Sequence, residues 1–191
     1  KTSFFGSIAM LGVVSAEQTL PVDLGIDFTS NDFTIVDYTH LTAGLLYGIF
    51  EKNNLTELEE CGQDLDLFAM DAISALEEIA TLKPLHMAAG AKALANTVES
   101  FPEYMNGCDN DNMHAQLAEL NEWARVFLHP KALIPTMKEN AKQHILALTR
   151  DVAKLKSDLS QNKWFAAGDV AGQMLVILVG SEQSAVEAAH W

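Results

Sequence analysis

Basic residues are scarce in this chain: 12 Lys and Arg stand against 26 Asp and Glu, for a formal net charge of -14. A surface so acidic repels nucleic-acid phosphates and anionic lipid heads, which argues against both as partners. Only two cysteines occur, Cys61 and Cys108, and no Cys-x-x-Cys or closely spaced histidine pair accompanies them, so a metal site is disfavoured. No apolar run reaches the roughly 20 residues that a bilayer-spanning helix needs. A Gly-x-Ser-x-Gly elbow, a phosphate loop, a dinucleotide fingerprint and a His-Glu-x-x-His arrangement are all missing.

Several weaker patterns resolve into ordinary structure. His40, His86, His114, His129, His144 and His190 contain no i, i+4 pair, and each reads as a surface or capping residue. Asp109-Asn110-Asp111-Asn112 opens like a calcium loop, but Met113 stands where an oxygen ligand belongs and His114 where the glycine belongs. Glu57, Glu59, Glu60, Asp64, Asp66 and Asp71 share one helical segment and read as a solvated acidic face. No catalytic residue, metal or cofactor is assigned, and the chain reads as a non-enzyme.

The 191 residues, 49% of them hydrophobic, suit one globular domain with a short appended arm. Charge is unevenly spread. Residues 17–82 hold 14 acids and one base, Lys52, whereas residues 83–159 hold 9 of each sign. Near the start, Lys1 is followed by the apolar run from Phe4 to Val14 and then Ser15-Ala16-Glu17. Had a Met preceded Lys1, this would be a secretory signal cleaved after Ala16, with Val14 and Ala16 at the positions signal peptidase reads. A retained apolar segment docking on a neighbour is the alternative. The expected location is therefore the secretory lumen or the extracellular space. There Cys61 and Cys108 most simply form a disulfide, with two free buried thiols as the other reading. The closed loop would stabilise the fold by about 4 kcal/mol in the chain-entropy account. Asn54-Leu55-Thr56 is a glycosylation sequon in such a compartment, and Asn54 also reads as a helix cap.

Residues 17–37 have a different texture from the rest. Val22, Leu24, Ile26 and Phe28 alternate with Asp23, Gly25 and Asp27, a period of two that predicts an extended arm, and Phe33-Thr34-Ile35-Val36 predicts a second short strand. From residue 38 the period is helical. The spacing predicts an all-α bundle of about six helices over 38–191: near 38–51, 54–82, from Pro84 to Phe101-Pro102, 109–127, from Pro135 to Leu159, and a last one capped by Ser160 and stopped by Gly180. The last helix, Ala166 to Val179, carries no charge but Asp169, so it should be buried on most sides at the centre. Gly44 and Gly48, like Gly168 and Gly172, stand one turn apart, a spacing that lets helices approach closely or leaves room for a ligand.

Residues 41–180 resemble a group of secreted helical proteins of unknown function from ciliates. The resemblance lies in Leu45-Leu46-Tyr47-Gly48-Ile49, the positions of Cys61 and Cys108, the step from Phe127 to Pro130, Asn140 before Ile145, and Trp164-Phe165 followed by Gly168, Gly172 and Leu175. Where that group usually shows Asn-Gly, this chain has Gln143-His144. The resemblance implies a secreted disulfide-bonded helical fold and transfers no active site. Two functions follow as expectations. The first is a structural or assembly subunit that pairs with itself or other protein subunits through Val22, Leu24, Ile26 and Phe28. The second is a carrier of a small hydrophobic ligand, lined by Met70, Met87, Met113, Met137 and Met174.

Overall fold

The computed structural model describes residues 34–53, 55–61, 65–80, 84–104 and 111–180. The described secondary structure is entirely helical. In order it comprises α1 (Ile35–Phe50), α2 (Leu55–Cys61), α3 (Leu65–Ala80), α4 (Pro84–Tyr104), α5 (Asp111–Ala124) with a 3-10 turn (Arg125–Leu128), α6 (Pro130–Gln143), α7 (Ile145–Ser160) and α8 (Trp164–Val179). The all-α expectation holds. The alternating segment with Val22, Leu24, Ile26 and Phe28 lies outside the described residues.

The strand expected at Thr34-Ile35-Val36 is instead the start of α1. Thr34 caps it: the Thr34 hydroxyl accepts from the Asp37 backbone N–H at 3.3 Å, and the Asp37 carboxylate accepts from the Thr34 N–H at 2.8 Å. This reciprocal box satisfies two helix-end donors and overrides the β-preference of Ile35 and Val36. Prolines also behaved differently from expectation. Pro102 does not end α4, which continues to Tyr104. The neighbouring Phe101 is fully buried, its ring 4.2 Å from that of Phe68, and this anchors the last turn. Pro130 rather than Pro135 starts α6, sitting at the first helical position where its missing N–H costs nothing, and Pro135 lies inside the helix. Ser160 is the last residue of α7 and does not cap α8, whose cap is Lys163. Within the helix expected over 54–82 the described parts are α2 and α3, and the one expected from Pro135 to Leu159 is α6 and α7, divided at His144.

One core joins these helices. Its largest fully buried side chains include Trp123, Phe68, Phe101, Phe127 and Met137, each of which stabilises the fold by roughly 1.5–3 kcal/mol. The expected stripes point inward where described: Leu41 and Leu45 in α1, Leu65, Phe68 and Ala72 in α3, Leu94 and Val98 in α4, and Leu148, Leu155 and Leu159 in α7. Helix α8 is the centre of the bundle, packing on α1, α6 and α7. Gly180 ends it, as its sequence position implied. Side chains from other helices cover its last carbonyls: Asn140 Nδ2 donates to Leu178 O at 3.0 Å, and Trp123 Nε1 donates to Gly180 O at 3.2 Å.

Candidate functional site

The most constrained part of the molecule is the seam between α1 and α8. A Cβ built on Gly44 would lie 2.8 Å from the Phe165 carbonyl carbon and 2.9 Å from the Asp169 nitrogen, and it would overlap the Phe165 carbonyl oxygen. On Gly48 it would meet the Asp169 oxygen and lie 2.9 Å from the Gln173 nitrogen. From the other side, a Cβ on Gly168 would strike Leu41 O and stand 2.7 Å from Leu45 N, and one on Gly172 would stand 2.9 Å from the Gly48 Cα. Partners on both helices advance together by one turn, so α1 and α8 run parallel. Two parallel neighbours cannot be joined by a tight turn, and α2 to α7 supply the crossover.

Both glycine pairs are therefore filled by the opposing backbone, and at this seam no room is left for a ligand. Tyr47 and Phe165 flank it with ring centroids 5.7 Å apart. Of the methionines considered as a ligand lining, Met137 and Met174 are buried in the core and Met70 is half-buried against it.

The expected site residues lie mostly elsewhere. Val22, Leu24, Ile26, Phe28, Asn54 and Cys108 lie outside the described residues, and Cys61 is placed as the final residue of α2. Next to Asn54, the Asn53 side-chain oxygen accepts from the Leu55 N–H at 3.1 Å and so serves the start of α2. Among the described residues, no group of three or more His, Cys, Asp or Glu side chains could hold a metal ion, and no helix is long and apolar enough to cross a membrane.

Two histidines join neighbouring helices through carboxylates: His40 Nε2 of α1 lies 3.2 Å from Glu59 Oε1 of α2, and His86 of α4 meets Glu78 of α3. Lys52 pairs with Glu119 across the bundle. The buried polar groups are less well served. Asp151 and Asp158 of α7 are 7% and 8% exposed. Arg150 Nε donates to Asp151 Oδ1 at 3.3 Å, whereas Asp158 Oδ2 and Thr42 Oγ1 are buried without a hydrogen-bond partner among the described residues.

Among the described residues, exposed large apolar side chains are few. Ile35 and Val36 at the start of α1 are 72% and 58% exposed, Leu67 on α3 is 51% exposed and Leu146 on α7 is 84% exposed. These positions, together with the charge they sit among, are the surface features to which sequence periodicity gave no pointer. Known protein families, curated proteins and solved structures offer no match to this chain.

Proposed function

We propose that this protein is a non-enzymatic assembly subunit of the secretory lumen or extracellular space, which associates with copies of itself through its N-terminal arm. The observation that carries this reading is the root of the arm. Ile35 and Val36, at the start of α1, keep most of their surface exposed, and in sequence they follow the alternating run of Val22, Leu24, Ile26 and Phe28 after the turn-like Thr29-Ser30-Asn31-Asp32. The helix behind them is held through its glycines to α8, so this apolar end is a fixed one. An extended arm of alternating pattern adds its backbone hydrogen bonds to a neighbour and sorts its side chains between two faces.

Light scattering coupled to size exclusion on the full chain tests the reading. Concentration-dependent oligomers that dissolve on Val22→Asp with Ile26→Asp support it, and a monodisperse monomer at every concentration refutes it. Intact mass of the natural protein bears on the compartment: cleavage after Ala16, a Cys61–Cys108 disulfide and a glycan on Asn54 would each appear as a defined mass difference.

A further inference from the structure

The outward face of α7 is basic, and that of α3 presents an exposed leucine and a carboxylate. On α7, Arg150, Lys154 and Lys156 are exposed, and the flanking Lys142 and Lys163 are exposed as well. Its two acids, Asp151 and Asp158, are turned into the fold. The surface charge of this helix is thus basic on a strongly acidic protein. Arg150 touches Asp151 but keeps 78% of its side chain exposed. Leu146, Arg150 and Lys154 recur every four residues and so form one stripe, headed by a leucine that is 84% exposed.

Helix α3 offers a shorter counterpart, one exposed leucine followed by one exposed carboxylate. Leu67 is 51% exposed, Asp71 follows one turn later and Ser74 three residues beyond it, all facing outward. The surrounding elements α1 and α2 add exposed Glu51 and Glu59. Their single base, Lys52, is engaged by Glu119. The two faces belong to different parts of the surface, since α3 packs mainly on α4 and α1 whereas α7 packs mainly on α8.

We infer that the α3 face of one copy docks on the α7 face of the next, with Leu67 and Leu146 at the contact and Asp71 opposite Arg150 and Lys154. The contact is heterologous, because the two faces belong to different parts of the surface, and each copy keeps one face of each kind open for further addition. A second copy as occupant rests on the self-association reading above; the docking faces rest on charge complementarity and do not involve the arm. Paired charges of this kind mainly steer and select the partner.

The test uses sedimentation of the full chain at low ionic strength and at about 1 M salt, where the Debye length falls to roughly 3 Å. Asp71→Lys alone, and Arg150→Glu with Lys154→Glu alone, should each weaken self-association at least about tenfold, as should high salt. An equal mixture of the two variants should associate again, since the mixture offers one native and one reversed contact. Far-UV circular dichroism confirms that each variant is folded. If the variants associate like the wild type, or the mixture stays apart, the docking faces are wrong while the arm reading survives in any oligomer that Val22→Asp with Ile26→Asp dissolves. A wild type that remains monomeric throughout overturns both. Heparin binding through α7 without self-association would assign that face to a polyanion and overturn the inference.

Discussion

At Gly168 a single methyl group has nowhere to go, because the space it needs is held by the backbone of Leu41 and Leu45. Backbone atoms of a packed helix cannot swing aside as a flexible side chain can, so the helices must separate and lose contacts along the seam. Helix propensity alone gives the opposite sign: Gly→Ala inside a helix gains about 1 kcal/mol. Gly168→Ala is therefore expected to destabilise by about 3 kcal/mol despite that gain, which for a chain of this length lowers Tm by roughly 10 °C. Thermal melting followed by circular dichroism decides it, and an unchanged or raised Tm would show that the seam is looser than its geometry. Thr34→Ala is a milder case at the same scale. It removes one half of the Thr34–Asp37 box and should cost about 1 kcal/mol, read as a shift in the urea midpoint at constant slope.

Among elements, α8 leans on its neighbours at its C-terminal end, where two carbonyls take their donors from other helices. Asn140 on α6 serves the Leu178 carbonyl and Trp123 on α5 serves that of Gly180. Asn140→Leu keeps the branched shape but leaves the carbonyl without its donor, at a cost of about 1–3 kcal/mol. Trp123→Phe keeps an aromatic ring beside Phe127 while removing the N–H, and should cost at the lower end of that range plus the volume lost. Amide exchange at the end of α8 should quicken in both variants while the middle of the helix stays protected; uniform quickening would mean that these bonds hold the whole bundle rather than one terminus. Element boundaries were the least legible feature of the sequence, for a related reason. Met137, Ala141, Ile145 and Leu148 step by four and three without interruption, so the apolar stripe runs straight through the division between α6 and α7 at His144. A break that preserves the register of the inward face leaves no trace in periodicity.

For the molecule as a whole, the glycines and the inward stripes were readable because they depend on local spacing. Which glycine pair meets which was not, since residues 44 and 168 are joined only through the tertiary fold. The basic face of α7 was hidden for a similar reason. Residues 83–159 balance to zero by count, and only the inward turn of Asp151 and Asp158 separates a neutral helix from a basic surface. The pairing of the first described helix with the last has a consequence for cooperativity. Helix α8 fills the middle of the bundle and holds α1 in place through the seam, so neither can bury its apolar face alone. A chain ending at Lys163 should keep much of its helicity yet lose fixed packing: Trp123, now buried, would lose its near-ultraviolet signal, the dye ANS would bind, and melting would become gradual. A sharp cooperative transition in that truncated chain would mean that α3 to α6 form a self-sufficient core, and α8 would then be an addition to the fold rather than its centre.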